Sequence, residues 1–319
     1  MESLLELRGL GIAFEDAAGR LLPAVQDVSF GVREACVTCL VGESGCGKSL
    51  TAKACLRLLP SQARVAGSVA FAGTDLLALS ERRMRSLRGR ELAMIFQEPM
   101  TALNPVLTVG FQAAEPLRTH LGLSKREARK RVVELFRQVN IPSPEARFDV
   151  YPHELSGGMR QRVMIAMALA CGPRLLLADE PTTALDPTIQ GQILSILQEQ
   201  RERRGMSVLL ITHDLGVVAQ TADMVGVMYA GHLVEFGTVR DVLLSPRHPY
   251  TQGLLASAPS RDAMLLDRLP AIAGTVPPLG KIPQGCPFHP RCPRARAECR
   301  EALPPERKDG GHRTLCWLA

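Results

Sequence analysis

The sequence contains no long apolar run. Nowhere do apolar residues continue for the roughly 18 to 20 positions that a membrane-spanning helix requires, residues 164–171 being the nearest approach. Any tie to a membrane is therefore expected to pass through a partner. The start, Met1-Glu2-Ser3-Leu4-Leu5-Glu6, lacks a basic region followed by an apolar stretch, so no secretory signal is expected there. Charge of one sign is not gathered into a tract either. The net charge of +6 is spread thinly over 319 residues, which weakens an argument from charge alone for a nucleic-acid partner. No internal repeat is present, so a solenoid or array is excluded.

What remains is an ordinary globular chain, 46% hydrophobic and long enough for one large core with a smaller appendage. Early apolar alternation at Leu5 and Leu7 and over 25–32 predicts strands. Residues 37–41 predict a further strand running into a glycine loop and a helix near 48–59. Short apolar segments at 92–96, 175–178 and 208–212 predict buried strands ending in polar residues, where open α/β sheets place ligands. Between Val109 and Val139 the period becomes helical, with the basic run 125–131 expected as a solvated helix face. The expected architecture is α/β, with a helical subdomain inserted at about 98–170.

Beyond Gly237 proline becomes frequent, and a tail so poor in apolar side chains needs docking on the core or a bound metal. Cys36, Cys39, Cys46, Cys55 and Cys171 are scattered and are expected as buried small residues. Cys286, Cys292, Cys299 and Cys316 crowd the tail, and in a reducing compartment such a cluster favours metal or iron–sulfur ligation over disulfides. Their C-x5-C-x6-C-x16-C spacing lacks the C-x2-C pairs of a zinc ribbon.

Gly42-Glu43-Ser44-Gly45-Cys46-Gly47-Lys48-Ser49 satisfies G-x-x-x-x-G-K-[ST] between a strand and a helix. Glycines let backbone N–H groups curl around phosphate oxygens, Lys48 neutralises the β/γ charge, and the Ser49 hydroxyl suits Mg²⁺. Asp179 and Glu180 end an apolar strand, the first as magnesium partner and the second as general base. His213 and Gln97 occupy the same kind of strand terminus, His213 to touch the γ-phosphate and Gln97 to meet metal and water.

Ser156-Gly157-Gly158-Met159-Arg160-Gln161 adds a serine-capped helix start with exposed N–H donors. With the phosphate loop, the acid pair, Thr183-Ala184-Leu185-Asp186 and His213, it resembles the signature of the ATP-binding-cassette ATPases over roughly residues 1–240. The resemblance implies a P-loop NTPase cassette core with ATP and Mg²⁺ bound. It further implies that Ser156, Gly157, Gly158 and Asp186 face ATP held by a second ATPase subunit, identical or related. Phe14 matches the aromatic that stacks on adenine, with core packing as the competing reading. Leu50 replaces a hydroxyl found in many cassettes, removing one possible α-phosphate hydrogen bond, and Met159 stands where glutamine is frequent.

The segment 96–105 and His248-Pro249-Tyr250-Thr251-Gln252-Gly253-Leu254-Leu255 resemble the ATPases of oligopeptide, dipeptide and nickel importers. That likeness implies two permease subunits, an external substrate-binding protein, a permease helix received near 98–104, and a place on the cytoplasmic face of the inner membrane. It also implies a loop-rich extension over 241–319 whose four cysteines hold a [4Fe–4S] cluster, in a structural or redox role. Zinc aided by His289 and a metal-free tail are the alternatives. The competing functions are uptake of nickel or another small solute and a soluble cassette ATPase acting on nucleic acid, a partner that is not expected.

Overall fold

A computed structural model describes residues 3–97, 102–182, 186–258 and 271–319. The strands in chain order begin with β1 Ser3–Glu15, β2 Leu21–Arg33, β3 Val37–Val41, β4 Ala63–Phe71, β5 Thr74–Asp75 and β6 Leu92–Ile95. They continue with β7 Leu175–Asp179, β8 Ser207–Ile211, β9 Met224–Tyr229, β10 His232–Thr238, β11 Glu306–Asp309 and β12 His312–Leu315. The chain divides into two compact units, the first made of Met1–Leu77 with Ile211–Ala319 and the second of Ala78–Leu210.

In the first unit, β2, β1, β4 and β5 form an antiparallel sheet in that order. Alternation drives most of it: Leu7, Leu10 and Ile12 of β1 are buried between polar or half-buried neighbours, as a sheet with one covered face requires, and Leu4 and Leu5 are both buried at its start. A second sheet in this unit runs β11-β12-β10-β9-β3. β3 is buried at all five positions, Thr38 among them, and pairs parallel with β9, as its largely apolar run predicts. The helix that follows, Lys48–Cys55, is shorter than the sequence suggests. Its end is set by Arg57, whose φ of 52° turns the chain left-handed.

The tail belongs to this first unit. β12 adds to β10 in antiparallel register, Glu235 opposite Thr314 and Phe236 opposite Arg313. The guanidinium of Arg313 lies 4.6 Å from the Phe236 ring centre and donates to the Ser29 carbonyl of β2 at 2.8 Å. Glu235 is buried and accepts three hydrogen bonds, from the backbone N–H groups of Arg247 and His248 and from the His312 ring at 2.7 Å. A buried carboxylate is tolerated when its lone pairs are met in this way. Tail docking thus answers the shortage of apolar side chains noted above.

In the second unit, β6 pairs parallel with β7, Ile95 opposite Ala178. Around it lie the helices Val109–Leu121, Lys125–Gln138, Gly157–Leu169 and Pro187–Arg204. Lys125–Gln138 starts at a capping box between Ser124 and Glu127 and buries Ala128, Val132, Leu135 and Phe136, four residues of one face. The basic run ahead of Val132 is exposed except at Ala128, and Arg129 pairs with Asp149. It is the solvated face that the charge pattern implies. Among the described residues no helix is long and apolar enough to cross a membrane.

Candidate functional site

Five buried residues of β3 deliver the chain to Gly42, where φ is 149° and a Cβ would stand 2.2 Å from the Met228 carbonyl oxygen. Only glycine fits that approach. At Gly47, φ is 106° and a Cβ would meet Val25 and Ala24 at 3.0 and 3.1 Å. Gly45 is the opposite case, exposed at the crest of the loop with nothing within 4 Å of a Cβ position. The loop is therefore closed against the protein at its ends and open at its middle, the shape that a phosphate group needs.

Lys48 is only 5% exposed, and its ammonium donates to the carbonyls of Gly42 at 2.7 Å and Glu43 at 3.0 Å. The Cys46 thiol is buried, which pushes its pKa up although Lys48 pulls the other way. Ser44 is exposed, and Ser49 and Leu50 are half-buried in the first helical turn. That turn carries no acidic residue and no side-chain cap, and its dipole favours an anion. These features fit a nucleotide phosphate.

His213 is exposed and follows Thr212, whose N–H donates to the Leu40 carbonyl of β3 at 3.2 Å. Asp214 caps the next helix, accepting from Gly216 and Val217. Phe14 is half-buried in β1, opposite Leu22 of β2 and Ala63 of β4.

In the second unit the acid pair is resolved by the backbone. Asp179 is the last residue of β7 and 2% exposed. Glu180 has φ of 46°, so the chain turns left-handed between two side chains that a continuing strand would send to opposite faces. The Gln97 amide, just beyond β6, donates to Glu180 Oε2 at 3.3 Å.

Ser156 caps helix Gly157–Leu169, its hydroxyl accepting from Met159 N–H at 3.3 Å. Asp186 caps helix Pro187–Arg204, accepting from Ile189 N–H at 2.9 Å. The two helix starts touch, since a Cβ on Gly158 would meet Ile189 at 3.2 Å. Gln161 donates to the Pro181 carbonyl at 2.6 Å, tying the signature helix to the turn after the acid pair. Sequence reasoning did not single out that contact. Thr183, Ala184 and Leu185 lie outside the described residues, as do Glu98, Pro99, Met100 and Thr101 of the expected permease groove.

All nine cysteines are thiols. Cys39, Cys46 and Cys55 are buried, whereas Cys36 and Cys171 are only half-buried. In the tail, burial first, and then the charges of Cys299, Cys316 and Cys292, push Cys286 up to about 11. The four thiols thus lie within electrostatic reach of one another. Ligation demands shorter distances, and among the described residues no group of three or more His, Cys, Asp or Glu side chains is arranged to hold a metal ion. The geometry therefore gives the expected [4Fe–4S] cluster no ligand set.

Comparison with known proteins adds identity to this geometry. Residues 25–183 match the family described as "ABC transporter", and residues 234–299 match "Oligopeptide/dipeptide transporter, C-terminal region". The "Dipeptide transport ATP-binding protein DppD" of Bacillus subtilis is 49% identical over 100% of this chain and 95% of its own length. The "Probable peptide ABC transporter ATP-binding protein y4tR" of Sinorhizobium fredii is 51% identical over 98% of this chain and 94% of its own. Among solved structures, the dimeric cassette MJ0796 in a post-hydrolysis state bound to ADP and Pi superposes with a TM-score of 0.67 at 26% identity, over 74% of this chain and 99% of that one.

Proposed function

The chain belongs to the ATP-binding-cassette transporter ATPases of the oligopeptide/dipeptide branch, and from that premise we propose that it drives uptake of di- and oligopeptides by hydrolysing ATP at a membrane transporter. Likeness over the full length to a dipeptide transport protein favours peptide cargo over nickel and over a nucleic-acid role. The partners of this reading are a second cassette, two permeases and an external binding protein, with the chain peripheral on the cytoplasmic face.

The residue roles are part of the proposal. The loop Gly42-Glu43-Ser44-Gly45-Cys46-Gly47 wraps the phosphates with backbone N–H groups other than that of Glu43, which donates to the Tyr250 hydroxyl, and Lys48 neutralises their charge. Ser49, Gln97 and Asp179 hold Mg²⁺, which when bound neutralises phosphate charge and helps align the reacting groups. Glu180 takes the proton from the attacking water, Gln97 orients that water, and His213 contacts the γ-phosphate. Phe14 packs on adenine, while Ser156, Gly157, Gly158 and Asp186 face ATP held by the second cassette. Two of these groups already use part of their capacity on helix caps, the Ser156 hydroxyl and the Asp186 carboxylate. Each oxygen keeps a further lone pair for a ligand.

The observation that carries the reading is the Gln97–Glu180 pair, an amide and a carboxylate 3.3 Å apart at the ends of two paired strands, with Glu180 turned left-handed to meet it. The test is magnesium-dependent phosphate release and peptide uptake by the chain assembled with its permeases and second cassette. Absence of both rejects the function.

A [4Fe–4S] cluster in the tail is a separate proposal. Its support is chemical: four thiols in one small region, where the charges of Cys299, Cys316 and Cys292 add to the burial that raises Cys286, suit a cationic centre. Iron and acid-labile sulfide in anaerobically purified protein establish it, and their absence leaves the cysteines as packing residues.

A further inference from the structure

Glu43 puts a carboxylate at the second position of the phosphate loop. A carboxylate there repels a polyanionic ligand through the same short distances that make the loop attractive to it. The structure supplies a cation for this carboxylate from far along the chain. Arg291 Nη1 lies 3.0 Å from Glu43 Oε1 and 3.1 Å from Oε2.

The arginine is held firmly. Its side chain is 7% exposed, against 30% for Glu43. Nε donates to the Ala273 carbonyl at 2.8 Å, and Nη2 donates to the carbonyls of Ile272 and Gly274. Its guanidinium stands over the Tyr229 ring at 5.7 Å. The tail also grips the Glu43 backbone, because the Tyr250 hydroxyl accepts from the Glu43 N–H at 2.9 Å. The Glu43 carbonyl in turn receives the Lys48 ammonium. Glu43 is thus fixed at its side chain and N–H by the tail, and at its carbonyl by the lysine assigned to phosphate.

We infer that Arg291 is a positioning residue for ATP binding, which neutralises Glu43 and so sets the affinity of the phosphate loop from the tail. The inference rests on the ATP-site reading above. It makes the segment between Cys286 and Cys292 part of the nucleotide site without touching nucleotide.

The test is a charge cycle on the full chain, with ADP·Mg²⁺ affinity measured by calorimetry and ATPase kinetics measured in the assembled transporter. Arg291→Gln leaves the Glu43 carboxylate uncompensated, so the Kd for ADP and the KM for ATP rise about tenfold, the scale of one charged hydrogen-bond pair. At saturating ATP, kcat stays within about twofold, because neither group touches the reacting atoms. Adding Glu43→Gln to Arg291→Gln removes the stranded charge and recovers at least about fivefold of the lost affinity. A purely structural role for Arg291 gives no such recovery. Unchanged affinity in R291Q, or a double variant as weak as R291Q, overturns the inference.

Should R291Q fail to fold, Glu43→Gln alone decides. It leaves the Arg291 charge facing the phosphates and tightens nucleotide binding by about threefold, and weaker binding overturns the inference. If the wild-type chain neither binds nucleotide nor releases phosphate, the ATP-site reading falls and this inference with it. Wild-type activity combined with an unresponsive R291Q removes the inference alone.

Discussion

At Glu180 the backbone adopts a conformation that costs a non-glycine residue about 1–3 kcal/mol, and the gain is that a strand-end carboxylate faces the Gln97 amide. Replacing it by glutamine keeps the shape, the backbone preference and the hydrogen-bonding capacity while removing proton acceptance. In Glu180→Gln, kcat for phosphate release therefore falls by about 100- to 10,000-fold, while nucleotide affinity stays within about threefold of wild type. Steady phosphate release and nucleotide binding, measured side by side, check this. A loss confined to affinity assigns Glu180 to binding instead of proton transfer.

Helix Pro249–Ala256 shows how one element joins sequence to stability. His248 caps it, Nδ1 accepting from the Tyr250 N–H at 3.0 Å, and its ring lies 5.9 Å from Phe288. Burial holds the His248 pKa down at about 3, and burial likewise holds His232 at about 4, against an ordinary 6.5. Between those values and 6.5 the unfolded chain binds protons that the folded chain refuses. Stability is thus complete above about pH 6.5 and drains by about 1.4 kcal/mol per pH unit for each histidine as pH falls. Asparagine at position 248 can still cap the helix but cannot titrate. In His248→Asn the dependence of unfolding free energy on pH between 6 and 5 should drop by about one proton, as read from denaturant melts. An unchanged slope rejects His248 as the source.

The same element shows what could be read in advance and what could not. The phosphate loop was legible because glycine spacing, an apolar approach and a following helix are local facts, and β3 with Gly42 and Lys48 meets them residue by residue. Strand-end placement of Gln97 and Glu180 was legible for the same reason. Arg291 and Tyr250 were not, since they meet Glu43 across 248 and 207 positions of sequence, and such pairing depends on which strands become neighbours. A signal did exist: an acidic residue inside a phosphate loop calls for a cation. The end of helix Lys48–Cys55 also escaped, because nothing about Arg57 announces its positive φ.

For the whole molecule, the tail is inseparable from the unit it completes. Tyr250 and Phe288 pack with Tyr229 at centroid distances of 4.6 and 5.1 Å, and all three side chains are 2% exposed or less. Burial of two aromatic side chains contributes on the order of 3–6 kcal/mol, and loss of the Arg247, His248 and His312 partners strands the buried Glu235 as well. That total rivals the whole stability of a typical domain. A chain ending at residue 240 should therefore lose its cooperative thermal transition and most of its soluble yield, although it keeps every motif of the cassette. A sharp melt within about 5 °C of the full chain would refute this.

The first unit is assembled from two stretches of chain, with Ala78–Leu210 between them. During synthesis at about 5–20 residues per second, the amino-terminal stretch that ends at Leu77 must wait roughly 8 to 30 s before β9 has been made and can pair with β3. The second unit emerges whole in that interval. On the ribosome, the glycine bend of the newborn protein is held open-ended beside β3 until its carboxyl-terminal companions arrive, so competence to bind nucleotide is among the last properties the polypeptide acquires.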